Sequence, residues 1–182
     1  GLPFLLVFST LSAWLRAEDV DRAAIGFFSW IGITYSIKVF WAPIVDRVPL
    51  PFLTRYLGRR RGWMLLAMIG IAAGLLGMAG TEPSSDLSRL VLCALLVAFS
   101  SATQDISIDA YRIEAVSHDL QGAMAATYQL GYRMALLVAG GGALLLADAV
   151  NWSITYVFLS SLTIIGIATV LVIDEPETSE VL

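Results

Sequence analysis

Five apolar stretches, residues 23–45, 62–80, 87–108, 122–147 and 153–173, are each long enough to cross a hydrocarbon layer as a helix, which takes about 20 residues at ~1.5 Å per residue. In lipid every backbone N–H and C=O must find its partner inside the segment, so stretches of this length predict an all-α transmembrane bundle. A sixth apolar stretch, residues 1–15, is too short to span alone and reads as a first helix that is truncated, giving an expected bundle of six. The short polar links 16–22, 81–86, 111–121 and 148–152 predict antiparallel neighbours. Pro43, Pro49 and Pro51 mark the expected exit from the second helix into a longer connector that runs to Arg61. Residues 1–173 are therefore expected to form one transmembrane domain. The acidic tail 174–182, starting Asp174-Glu175-Pro176-Glu177-Thr178, reads as the beginning of a cytoplasmic linker without packing of its own.

Composition removes several other classes. Hydrophobic residues make up 58% of the 182 and charged residues 14%, with a mean hydropathy of +0.79; a soluble domain is nearer ~45–50% apolar and ~25% charged. A net charge of −4 provides no basic field for nucleic acid. One cysteine, Cys93, and one histidine, His118, leave no internal disulfide, no cysteine metal cluster and none of the usual catalytic triads. Neither a metal nor a cofactor is expected.

The basic residues carry topology. Arg47, Arg55, Arg59, Arg60 and Arg61 fall in the connector between the second and third helices, and Arg112 opens the next connector on that side. Only Arg16, Arg22 and Arg89 lie on the other. The more basic side is expected to face the cytoplasm, with both ends of the chain. Trp14, Trp30, Trp41, Trp63 and Trp152 lie near predicted helix ends, as interfacial anchors do. Gly140, Gly141 and Gly142 suit close helix packing or a local bend.

Four charges lie inside the apolar stretches: Lys38, Asp105, Asp109 and Arg133. Each costs ~2.5–3.5 kcal/mol near the middle of a span, which calls for a partner, a water-filled cavity or a function. Ser101, Asp105, Asp109 and Arg112 recur at steps of four, four and three and share one helix face. Gln129 and Arg133 are one turn apart, with Tyr128 and Tyr132 beside them, and Thr34 and Trp41 flank Lys38 at similar spacing. The expected product is a polar cavity in which the Asp105 and Asp109 face meets Arg133 and Lys38. Desolvation and neighbouring cations would poise its carboxylates to exchange protons. The alternative is that the four charges only pair and hold helices together.

The run Ser100-Ser101-Ala102-Thr103-Gln104-Asp105-Ile106-Ser107-Ile108-Asp109-Ala110-Tyr111-Arg112 resembles the fourth-helix signature of the AmpG-type muropeptide permeases, in the major facilitator superfamily. Ser12-Ala13-Trp14-Leu15, Ile25-Gly26-Phe27-Phe28-Ser29, Phe40-Trp41-Ala42-Pro43, Gly58-Arg59-Arg60-Arg61-Gly62-Trp63, Gly131-Tyr132-Arg133 and the glycine triplet resemble that family in the same order. The resemblance implies the N-terminal half of a major-facilitator fold, completed by a missing C-terminal six-helix half. It implies a bacterial inner-membrane symporter, without enzymatic activity, that uses protons to import anhydro-muropeptides for peptidoglycan recycling. In bacteria with inducible β-lactamase that import also feeds induction. It adds Gln104 to the candidate cavity, which then comprises Lys38, Gln104, Asp105, Asp109, Gln129, Tyr132 and Arg133.

The Gln-Asp-x-x-x-Asp pattern also resembles acetyl-coenzyme A transporters, so another organic solute is the alternative cargo. A non-transporting receptor or assembly subunit, and a membrane enzyme using Asp105 and Asp109 as an acid–base pair, are the readings from other classes. The connector resembles the superfamily motif Gly-x-x-x-Asp-Arg-x-Gly-Arg-Arg through Asp46, Arg47, Gly58, Arg59 and Arg60, which with Arg112 form the candidate gating group. Ala42 replaces the first glycine, and an insertion separates Arg47 from Gly58.

Overall fold

A computed structural model describes residues 1–20 and 31–176. The Ile25 to Ser29 run, Arg22, Trp30, the start of the expected second helix, and Glu177 and Thr178 in the tail lie outside the described residues. Those described form helices and connections, with no strand among them. In chain order the helices are α1 (Leu2–Ala17), α2 (Ile31–Phe40), α3 (Ala42–Arg47), α4 (Leu53–Leu57), α5 (Arg59–Ala79), α6 (Leu87–Glu114), α7 (His118–Ala149) and α8 (Trp152–Val172). Helices α5 to α8, of 21, 28, 32 and 21 residues, are long and apolar enough to cross a membrane.

Local chemistry sets the boundaries. Asp86 caps α6 by accepting the Arg89 N–H at 3.2 Å, and Asn151 caps α8 by accepting the Ile154 N–H at 2.8 Å, each satisfying a donor that the first turn leaves free. The expected second helix differs in detail. It tightens to 3₁₀ geometry over Ile37–Phe40, breaks at Trp41 and resumes as α3, with Pro43 in the first turn of the new segment. A proline tolerates that position because its missing N–H would be unpaired there anyway. Pro43 thus begins a helix, and the exit falls later, at Val48, whose backbone is extended.

The tightest packing joins α5 to α6 along Gly70, Gly74 and Gly77. A Cβ on Gly74 would stand 2.5 Å from Val97 Cγ2 and 3.0 Å from the Cys93 carbonyl oxygen; one on Gly77 would stand 2.5 Å from Cys93 Sγ; one on Gly70 would collide with the Ser100 hydroxyl. Small residues let backbones approach in lipid, where apolar side chains gain little by leaving hydrocarbon for one another. Around this seam Leu6, Leu11 and Leu15 of α1, Ile71 and Leu75 of α5, Leu90 and Ala94 of α6, and Tyr156 and Leu159 of α8 form one buried cluster. Helix α7 adds only Ala139 and Ala143 to it and leaves most of its length exposed. Trp14 also belongs to this core: it is 3% exposed, stacks on Trp152 at 6.1 Å and meets Tyr156 at 5.0 Å, so it is no interfacial anchor.

Helices α1 and α7 each contain a π turn, at Leu6–Thr10 and Val138–Gly142. Such a turn disturbs the regular hydrogen-bond ladder, and a neighbouring hydroxyl reaches a carbonyl in each. Thr10 Oγ1 donates to the Ala139 carbonyl at 2.6 Å, and the Tyr156 hydroxyl donates to the Leu6 carbonyl at 2.9 Å. Both uses expected for the glycine triplet are observed: a Cβ on Gly140 would stand 3.2 Å from Leu5 Cδ1 of α1, a close helix contact, whereas Gly141 has open space where a Cβ would go and Gly142 meets only its own helix, at the bend. Gly74→Ala is expected to lower the melting temperature in detergent, at a cost of about 1–3 kcal/mol, whereas Gly141→Ala should change stability by less than about 1 kcal/mol. Equal losses in tryptophan-monitored melts of the two variants would erase the distinction between seam and bend.

Candidate functional site

Asp105 lies nine residues before the end of α6, about 14 Å along the axis. It borders a pocket of about 270 Å³ lined by Gln104, Asp105 and Ile108 from α6 and by Thr127, Tyr128 and Tyr132 from α7. The polar side chains that line it beside this carboxylate are one amide and three hydroxyls. Lys38, half-buried on α2, stands close enough for its charge to act on Asp105.

Three of the seven candidate cavity residues thus come together directly, Gln104, Asp105 and Tyr132, with Lys38 behind them. Gln129 and Arg133 do not join. Both are exposed, and at 100° per residue Arg133 lies about 165° round α7 from the middle of the pocket-lining positions. A four-residue step establishes that two residues share a face; it leaves open which way the face points. Asp109 is turned to the rim, its side chain 48% exposed and paired with Arg112 at 3.5 Å, while the Arg112 guanidinium sits over the Tyr128 ring at 4.5 Å. Among the described residues no ion pair joins Lys38 or Arg133 to an aspartate. Tyr128 and Thr127 complete the lining, and the i, i+4 relation of Tyr128 to Tyr132 was the signal available for the first of them.

A second polar centre occupies the basic end. Arg60 is only 7% exposed. Its Nη1 donates to Asp46 Oδ1 at 2.6 Å, its Nη2 to Glu114 Oε1 at 2.6 Å and its Nε to Glu114 Oε2 at 3.1 Å. The guanidinium fork matches a carboxylate bidentately, so this one side chain ties α3, α5 and α6 together. Gly58, at φ +87°, precedes α5, and the Glu175 carboxyl fills the space a Cβ there would need. That carboxylate accepts the N–H groups of Arg60 at 2.7 Å and Arg61 at 3.0 Å, where unpaired donors and the positive end of the helix dipole favour an anion. Arg61 reciprocates: its Nε and Nη2 each donate at 2.9 Å, to the Val170 and Leu171 carbonyls at the end of α8. The Tyr111 hydroxyl donates to the Asp174 carbonyl at 2.9 Å.

The first two tail residues are therefore held, contrary to the expectation of an unpacked start, because a free carboxylate meets free helix N–H groups. Within the candidate gating group, Asp46, Gly58 and Arg60 share this centre. Arg47 is exposed, Arg59 has a buried Nε with no hydrogen-bond partner among the described residues, and Arg112 belongs to the pocket rim. Among the described residues no group of three His, Cys, Asp or Glu is placed to hold a metal ion. Arg60→Leu is expected to cost about 2–4 kcal/mol, since it strands two carboxylates of which Asp46 is 44% exposed. Adding Asp46→Asn and Glu114→Gln should recover part of that loss in thermal melts; a triple variant no more stable than the single one would argue against a charge network.

The sequence profile of the Major Facilitator Superfamily matches residues 3–182. The anhydromuropeptide permease of Escherichia coli (strain K12) is 40% identical over 177 residues, covering 97% of this chain and 35% of that protein. The relative called AmpG 4 in Rickettsia conorii is 35% identical over 179 residues, covering 97% of this chain and 43% of that protein. The chain spans less than half the length of these curated relatives. With an all-helical bundle, four membrane-length helices and a profile match over nearly every residue, the chain belongs to the major facilitator superfamily.

Proposed function

We propose that this chain is the N-terminal half of a proton-coupled symporter that imports anhydro-muropeptides into bacteria for reuse of peptidoglycan. The observation that carries the reading is Asp105, a carboxylate deep in a membrane-length helix, bordering a pocket with amide and hydroxyl side chains and in no ion pair among the described residues. A carboxylate so placed can change protonation with what fills the pocket. The likeness to a relative named anhydromuropeptide permease supplies the substrate class, and amide and hydroxyl linings suit a sugar–peptide. In this reading residues 1–173 form the transmembrane domain, 174–182 begin the link to a second six-helix half, and the basic end faces the cytoplasm of the inner membrane. The exposed face of α7, with Gln129 and Arg133, then looks toward the second half. The Arg60 centre keeps α3, α5 and α6 moving as one body while the halves rock.

The test is uptake of labelled anhydro-muropeptide into proteoliposomes carrying the complete polypeptide, with and without a proton gradient. Wild-type uptake should rise with the gradient, and Asp105→Asn should remove the gradient-driven component. Full gradient-driven uptake by Asp105→Asn would exclude Asp105 from coupling. Transport of labelled acetyl-coenzyme A in place of the muropeptide would favour the alternative cargo, and saturable binding without flux would favour a receptor.

A further inference from the structure

We propose that Arg112 is a positioning residue of the Asp105 pocket: its guanidinium clamps the Tyr128 ring of α7 onto α6 and so fixes one wall of the solute site; this rests on the transport reading above. Arg112 lies seven residues past Asp105, in the last turn of α6, about 10 Å further along the axis and on the same face. Tyr128 lines the pocket and Arg112 does not. The guanidinium sits over the Tyr128 ring, 4.5 Å from its centroid, inside the ~6 Å over which a ring face attracts a cation. Asp109, one turn back on α6, steadies the same guanidinium through its Nη2 at 3.5 Å.

The wall has little else to hold it there. Thr127, Tyr128 and Tyr132 all lie on the stretch of α7 from Gln121 to Leu137, in which no residue is buried. Gly122 and Gly131 of that stretch have open space where a Cβ would stand. Among the described residues no hydrogen bond or ion pair ties the side chains of Thr127, Tyr128 or Tyr132 to another helix, and the Thr127 hydroxyl donates to the Ala123 carbonyl of its own helix at 2.9 Å. Gln121 Nε2 secures the start of the stretch, donating to the Ile113 and Val116 carbonyls at 3.0 and 3.1 Å. Thr10 secures α7 beyond the far end, at Ala139, and Gly1 packs on Tyr132 and Ala135. Between these supports it is Arg112 that reaches Tyr128 from α6.

The helix dipole favours a cation in the last turn of α6. That accounts for the charge of Arg112 but not for its place over a ring of another helix. A planar guanidinium stacks on an aromatic face, whereas an ammonium acts as a point charge. A ring fixed before the solute arrives needs less ordering on binding. Loosening it therefore weakens the binding of solute and transition state alike, which raises KM more than it lowers the maximal rate.

Uptake of labelled anhydro-muropeptide by the complete polypeptide in proteoliposomes tests the clamp. Arg112→Gln is expected to raise the apparent KM about threefold to tenfold, a larger change than in the maximal rate. Tyr128→Phe keeps the ring, so Arg112→Gln should raise KM by a similar factor in that background. Tyr128→Ala removes the ring, and there Arg112→Gln should change KM by less than about twofold. With fluorotyrosine at position 128, the fluorine NMR resonance of the solute-free protein should shift and broaden in Arg112→Gln. Should the glutamine variant melt early, Arg112→Lys, which keeps a cation at the helix end and loses the stacked plane, takes its place in the same comparisons. A wild-type KM in the Arg112 variant, an equal rise in the Tyr128→Ala background or an unchanged fluorine resonance each overturns this inference alone. Wild-type protein that takes up no muropeptide overturns the transport reading instead, and the fluorine resonance then decides the clamp by itself.

Discussion

Two helices immersed in hydrocarbon gain little by exchanging lipid contacts for contacts with each other, so their mutual orientation is set by how closely their backbones approach. Here that approach is made by Gly70, Gly74 and Gly77 of α5 against Cys93, Val97 and Ser100 of α6. The seam fixes the rotation of α6 about its own axis. Asp105 lies about 115° round the helix from the seam, which turns it to the gap bordered by α7. The position of Asp105 is thus a consequence of where three glycines stand on another helix.

At the basic end the same economy of polar groups works through charge. The orphan N–H groups of α5, the orphan carbonyls of α8 and the ionic side chains of the connector meet within a few ångströms and satisfy one another. Arg60 spans three helices and Arg61 a fourth. Deep in the bundle, hydroxyls from neighbouring helices do the same for carbonyls in the π turns. The bends of α1 and α7 are therefore pinned features, and the segment that carries Tyr128 and Tyr132 is anchored just beyond its last pocket residue.

The helical class and the spans after Gly58 could be read from sequence because an apolar run of about 20 residues has one stable fate in lipid. Asp105 and Tyr132 were legible as polar groups within such runs. The glycine seam was not: three glycines in an apolar stretch carry no polar flag, and the conspicuous triplet at 140–142 lies elsewhere, at the bend of α7 where Gly140 meets Leu5 of α1. Glu114 and Glu175 escaped because they lie 54 and 115 residues from Arg60 in the chain, and no local pattern predicts such meetings. Arg133 shows the complementary limit. Its spacing from Gln129 was read correctly, but the direction of their shared face depends on tertiary packing, which turned it away from Asp105.

That outward turn bears on how the pocket works in the proposed cycle. Had Arg133 met Asp105, the carboxylate would have been held ionised by a fixed partner, and protonation would have had to break an ion pair inside the membrane. With Arg133 on the far side and Lys38 in no ion pair among the described residues, the carboxylate shares its pocket with groups able to hydrogen-bond to either of its protonation states: the Gln104 amide and the hydroxyls of Thr127, Tyr128 and Tyr132. Proton and solute then act on the same small set of atoms. Coupling in such a site needs no long-range relay, because a solute that reorders these hydrogen bonds changes the free energy of protonating Asp105 directly.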